Sequence, residues 1–258
     1  MITGERIYQV IDDYWAELMK FRAQYHKQKP IKDKLAQFLQ KAFDDDPQLL
    51  VRLFWMDFER SEIELQPNNY GQIPPYYHYF ILAILNKPNP YGTELACQML
   101  RHPKQERHED CARYLYDAKD PIAIPCLIEA LKSDDYGIVR EAALALGNIG
   151  DPKAEPYLLD LVDKYDNDEV YREDRIDDAY LIIRSSAFNA LCLLNSPGAQ
   201  RKILETLFYD RDISIQERAI RHLVLNMSEQ AIPYLEQLTG HSNQRIAKVA
   251  QEFLDQIS

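Results

Sequence analysis

Four short steps of the form Ala-x-Pro, or a near variant of it, punctuate the second half of this chain. They stand at Ala123-Ile124-Pro125, Ala154-Glu155-Pro156, Ala199-Gln200-Arg201 and Ala231-Ile232-Pro233. Each opens a short apolar helix, and a second helix follows. The successive alanines lie 31, 45 and 32 residues apart, a period of about 31 with one long interruption. A period in that range implies stacked helix pairs, because one pair cannot bury its apolar face alone and must use its neighbours.

The clearest unit runs from Asp120 to Gly150. Its first helix carries Ile124, Leu127, Ile128 and Leu131 on one face, at helical spacing. Ser133-Asp134-Asp135 is a polar break with capping residues, and Ile138 to Ile149 makes the second helix. Ala142, Ala143 and Ala145 let two helices approach closely, and Gly147 and Gly150 suit the helix end and the turn. Asp151-Pro152 starts the next unit, since proline fits the first turn of a helix but not its interior. The later second helices read Ile183-Ala187-Leu191, Ile215-Ala219-Leu223 and Ile246-Ala250-Leu254 along one stripe.

These residues resemble HEAT repeats, in the short form also found in phycobilisome bilin lyases. The likeness rests on Ala123-Ile124-Pro125, Val139-Arg140-Glu141-Ala142-Ala143 and Ala145-Leu146-Gly147-Asn148-Ile149-Gly150-Asp151, and on their later copies. It covers residues 120–258. It departs at Arg201, where the other units have proline, and in the Leu-Gly ending that only the first unit keeps. The resemblance implies an all-α fold, a right-handed α-solenoid whose second helices line a concave, partner-facing side.

Residues 1–119 read as a helical N-terminal part, either diverged repeats or a cap, and residues 120–258 as four HEAT-like repeats. In the first part, Ile7–Tyr25 reads as one long amphipathic helix, with Tyr14, Trp15, Leu18 and Phe21 on its apolar side. Ile31–Phe43 and Pro47–Phe58 form a pair across Asp44-Asp45-Asp46, and Pro67–Pro75 a loop. A helix starts at Tyr76-Tyr77-His78-Tyr79-Phe80 and ends before Pro88, and 92–100 with 108–116 form a degenerate pair. Tyr70, Tyr76, Tyr77 and Tyr79 either line a pocket or pack in a core.

Charge narrows the choice of partner. The chain carries 41 Asp and Glu against 30 Lys and Arg, a net of −11. The excess lies in the repeats, because residues 1–90 hold 11 basic and 12 acidic residues. Nucleic-acid binding needs a basic face, so the natural complement is a protein partner with a basic surface. The start of the chain shows no apolar signal-peptide core, and no uncharged run approaches the roughly 18 residues of a membrane span. Cys97, Cys111, Cys126 and Cys192 sit among apolar helical positions, the pattern of reduced core thiols in a cytoplasmic protein. Cys97, His102, His108 and Cys111 fit no zinc spacing and read as core cysteines beside exposed histidines, so no metal is expected.

The long second spacing is an insertion at residues 166–180, within the unit that opens at Asp151. It carries Asp168, Glu169, Tyr171, Glu173, Asp174, Asp177, Asp178 and Tyr180. Insertions in repeat proteins fall on one face, often the binding face. The functional reading is a partner-binding loop with Tyr171 and Tyr180 as anchors, and the alternative is a solvated loop or extra helical turns. A mid-loop glycine is lacking, which argues against calcium. Arg140, Arg184, Asn189, Glu217 and Arg221 lie off the apolar stripes, as a binding track, or with Arg140 and Arg184 bridging adjacent repeats by pairing with acids as the family arginine does. His222 takes a slot where other units place alanine, packed or facing the inner side.

No phosphate-cradling glycine loop, nucleophile motif or zinc-protease motif is present. The expectation is a non-catalytic interaction protein without a cofactor or a small-molecule ligand, in concrete form an inhibitor or immunity-type protein. Two alternatives belong to other classes. One, implied by the resemblance, is a bilin lyase-like enzyme acting on the chromophore of a phycobiliprotein. The other is a glycosylase-like helical array on nucleic acid, which the charge disfavours.

Overall fold

The computed structural model describes residues 2–20, 25–64, 77–102, 107–166, 171–172, 175–176 and 178–257. The fold is an all-α solenoid of HEAT-like pairs. The departure among the described residues is a small antiparallel hairpin, β1 (Tyr171–Arg172) with β2 (Arg175–Ile176). The chain divides into two compact units, Met1–Gln98 and Met99–Ser258. No helix is long and apolar enough, among the described residues, to cross a membrane.

The first unit contains α1 (Gly4–Met19), α2 (Tyr25–Asp45), α3 (Pro47–Glu64) and α4 (Tyr77–Ile84), and α5 (Pro90–Arg101) runs through the division. Helix α1 is shorter than the sequence suggests and ends at Met19. Helix α2 starts earlier and carries Pro30 inside it. A single residue, Asp46, separates α2 from α3, and its carboxylate accepts the Leu49 N–H at 2.9 Å, so an N-cap ends one helix and starts the next. The aromatic core stacks Phe54 on Phe58 at 5.5 Å, with Tyr77 edge-on to both. Tyr77 is therefore a core residue. Tyr70, Tyr76 and the 67–75 loop lie outside the described residues.

The second unit contains α6 (His108–Ala118), α7 (Ile124–Ala130), α8 (Tyr136–Ile149), α9 (Glu155–Lys164), α10 (Asp178–Leu194), α11 (Pro197–Tyr209), α12 (Ile213–Met227), α13 (Ile232–Leu238) and α14 (Gln244–Ile257). The second helices of successive pairs pack in sequence, α6 on α8, α8 on α10, α10 on α12 and α12 on α14. The first helices α7, α9, α11 and α13 each pack on their own partner. Helix α6 thus belongs to this stack, and the compact units divide earlier than the expected 119/120 boundary.

The Ala-x-Pro step has a physical form. At Pro121–Ala123, Pro152–Ala154 and Ser228–Ala231 a 3₁₀ turn leads to the alanine, and the α-helix restarts on the residue after it. Ala123, Ala154 and Ala231 are wholly buried, so a larger side chain would push the pair apart. The proline then sits at the second helical position, where its missing N–H costs nothing. The third unit has Arg201 in place of proline, and there α11 runs unbroken from Pro197.

Close packing in the unit turns on Gly147. A Cβ built there would lie 2.5 Å from the Ala190 Cα and 2.9 Å from its carbonyl oxygen, so α8 and α10 are in close backbone contact at this point. Gly150 ends α8 in the left-handed region at φ 77°, where glycine carries no Cβ penalty.

The cysteines divide into two kinds. Cys111 and Cys192 are free thiols, their pKa values pushed up to about 12 by burial. Cys97 and Cys126 are disulfide-bonded, which corrects the expectation of reduced thiols for those two. His108 is buried at 4% exposure and not an exposed histidine, because it starts α6 with its ring against the stack. No group of three or more His, Cys, Asp or Glu side chains that could hold a metal ion occurs among the described residues.

Candidate partner-binding edge

The second helices α8, α12 and α14 begin at Asx caps. Asp135 accepts the N–H groups of Gly137 and Ile138, Asp212 that of Ser214, and Asn243 that of Arg245. Because the pairs stack in order, these caps and the connections before them follow one another along one edge of the unit. Six aspartates fall on or beside these connections, Asp134, Asp135, Asp163, Asp166, Asp210 and Asp212, of which Asp166 and Asp210 are paired with Arg184 and Asp163 with Lys202.

Three tyrosines meet at this edge. Tyr180, in the first turn of α10, stacks on Tyr165 at 5.0 Å with an interplanar angle of 19°. The Tyr136 ring, at the start of α8, meets Tyr180 edge-on at 5.3 Å, and their hydroxyls are 3.1 Å apart. The Lys164 ammonium lies 5.1 Å from the Tyr165 centroid. The cluster is only partly covered, and Tyr136 is 40% exposed. Tyr165 precedes the insertion directly and Tyr180 closes it, so the cluster is the root of the acidic excursion.

The acidic insertion points to Tyr180 from sequence, but nothing in that pattern points to Tyr136 or Tyr165. A signal for Tyr136 is available in the repeat register: Tyr136 and Tyr180 each stand seven residues before the buried alanine of their helix, Ala143 and Ala187. Equivalent positions on adjacent second helices are neighbours, so the pair is legible from that register. Tyr165 is not, since the end of α9 has no aromatic counterpart in phase with it.

The remaining expected residues fall into three groups. Asp168, Glu169, Glu173, Asp174 and Asp177 lie outside the described residues. Tyr171 is in β1, paired with Ile176, and Asp178 opens α10. The third group sits on the second helices, and two of its members are buried, in contrast to the expected binding track.

Arg184 has no solvent exposure. Its guanidinium binds Asp210 through two bonds, of 2.9 and 2.6 Å, and Asp166 at 3.1 Å, while Nε–H donates to the Val162 carbonyl at 3.3 Å. It bridges the connection of its own pair to that of the next. Glu217 is 8% exposed and is held by the Arg245 guanidinium, with one bond at 2.9 Å, which ties α12 to α14. Arg140 pairs with Glu141 at 2.7 Å.

Asn189 is half-buried and Arg221 exposed, at matching positions two residues beyond Ala187 and Ala219. Asn189 lies about 13 Å along the axis of α10 from Tyr180, outside the aromatic cluster. His222 is half-buried and contacts Asn226, and burial holds its imidazole below the ordinary histidine range.

The arrangement offers an aromatic platform set among carboxylates.

Comparison with known proteins bears on this framework. Residues 80–176 match the family model of HEAT repeats. Among solved structures, an engineered protein aligns with 98% of this chain and 70% of its own, at 18% identity and a TM-score of 0.41. The complex of CpcE and CpcF of phycocyanin lyase from Nostoc sp. PCC7120 aligns with 100% of this chain and 96% of its own, at 15% identity and a TM-score of 0.39. A comparison with curated protein sequences gives no match. Residues 80–176 thus resemble HEAT repeats, and the buried alanine of each Ala-x-Pro step and the ordered stacking of second helices fit that likeness.

Proposed function

We propose that this protein binds a protein partner with a basic face through the tyrosine edge and the acidic insertion, without catalysis, as an inhibitor or immunity-type protein does. The observation that carries the reading is the Tyr136–Tyr165–Tyr180 cluster at the root of residues 166–180. Aromatic side chains on a fixed platform are the usual anchors of an interface, because they bury large area at little cost in side-chain entropy. The surrounding carboxylates supply steering and choice of partner rather than most of the affinity. The second unit holds 28 acidic against 19 basic residues, which gives the field its sign.

The test uses the partner recovered from the native host and measures its affinity by titration calorimetry. Tyr180→Ala is expected to weaken binding by about 2 kcal/mol, as loss of an anchor does. Neutralising Asp168, Glu169, Glu173 and Asp174 together is expected to slow association and weaken binding about tenfold, with a flatter salt dependence. Affinity unchanged by both variants would overturn the reading.

A further inference from the structure

The first unit holds a groove of about 640 Å³ between α1, α2 and α4. That size falls in the roughly 300–1,000 Å³ range of small-molecule sites. Its floor is aliphatic and drawn from the core, with Leu18, Leu35, Leu39 and Ala83 all buried. The opening arises from sequence. Two ridges at i, i+4 spacing line it, Lys32–Ala36–Gln40 on α2 and His78–Leu82–Asn86 on and just beyond α4. Each ridge carries a residue of contrasting size at its middle step, Ala36 on one and Leu82 on the other. Ala36 is too small to fill the space, and Leu82 stays 60% exposed.

The polar groups are unevenly placed along these ridges. Where the ridges reach Gln40 and Asn86, the Asn86 amide donates to the Gln40 side-chain oxygen at 2.8 Å, and the two satisfy each other. Two turns earlier on the same ridges stand Lys32 and His78, both polar and one of them cationic. Two further donors line the groove. The Tyr79 hydroxyl and the Trp15 indole N–H have no hydrogen-bond partner among the described residues. Burial raises the Tyr79 phenol above its usual range, so it stays a neutral donor. A cavity with an aliphatic floor, spare donors and one cation, Lys32, next to one carboxylate, Asp33, calls for a ligand with an apolar body and an accepting end.

We infer that this groove binds a small amphipathic carboxylate, its chain lying over Ala36 and Leu82 and its head taken by Lys32 with the donors of His78 and Tyr79. This site is separate from the partner-binding edge and does not depend on it.

The chain holds two tryptophans, so Trp55→Phe leaves Trp15 as the single reporter in the groove wall. Full-length Trp55→Phe protein is titrated with sodium dodecanoate below its micelle concentration, with dodecanol in parallel, and Trp15 fluorescence is followed. The expected result is a saturable one-to-one change with a Kd in the roughly micromolar range for dodecanoate and weaker binding of dodecanol. Ala36→Phe fills the groove, and with helical circular dichroism unchanged it is expected to weaken dodecanoate at least about tenfold. Lys32→Gln, at an exposed position, is expected to weaken dodecanoate about fivefold and leave dodecanol unaffected. Absence of saturable binding, equal affinity for the two compounds, or dodecanoate affinity indifferent to either substitution would overturn the inference.

Discussion

Arg184 carries a full charge into a place without solvent, and its cost of desolvation is met by two carboxylates and a carbonyl. Asp210, 3% exposed at its side chain, depends on it in turn. Arg184→Ala should therefore destabilise the fold by about 3–5 kcal/mol, because it strands a buried carboxylate. Arg184→Lys should recover only part of this, as an ammonium cannot make the two-bond contact. Urea unfolding measures both, and a loss below about 1 kcal/mol for the alanine variant would show the bridge to be dispensable. The histidines give a pH signature at the same scale. Burial holds His108 and His222 below the ordinary 6.5 of a histidine, in His108 despite the nearby Asp135 carboxylate. As pH falls through 6.5 the unfolded chain takes up protons before the folded chain does. Their contribution to stability is thus complete above that value and declines below it. Equilibrium unfolding between about pH 7 and pH 5 should show the decline, and His108→Gln with His222→Gln should flatten it. In sequence, Arg184 stands apart from Asn189 and Arg221 as one of two arginines, with Arg140, that can bridge repeats by pairing with acids, and the fold supplies the acid for Arg184 at Asp210, 26 residues later.

Among the elements, the repeat was legible because its two requirements are local. A small residue must lie under each helix start, and an aliphatic stripe must recur along each second helix. Gly147 shows where that reading stopped short. It sits at the position filled by Leu191, Leu223 and Leu254 in the other units, and the sequence suggests only a helix end. In the fold it is where Ala190 meets α8. Gly147→Ala improves helix propensity by about 1 kcal/mol, yet the added methyl meets backbone that cannot swing aside. The net result should be a loss of about 1–3 kcal/mol, read as a lower thermal midpoint; a stabilised variant would refute the packing. The insertion was visible as a broken period. Its hairpin was not, because β1 and β2 are two residues each and have no alternating pattern to read.

Across the full chain, the second unit was far more legible than the first. Its helices repeat, so one well-patterned copy interprets the others. The first unit has no such clear copy to compare with, and its groove comes from a single size contrast between Ala36 and Leu82, on helices far apart in sequence. The candidate edge was half legible: Tyr180 and the acidic run stand out in the chain, whereas the platform beneath them needs α8, α9 and α10 in place. A partner that engages this edge, and not the exposed faces of the second helices, leaves a footprint that hydrogen–deuterium exchange of the protein alone and with its partner locates. Slowed exchange is expected at residues 131–137 and 163–182, with the stretches around Asn189 and Arg221 unaltered. Protection confined to those second-helix stretches, or to the first unit, would rule the edge out as the contact.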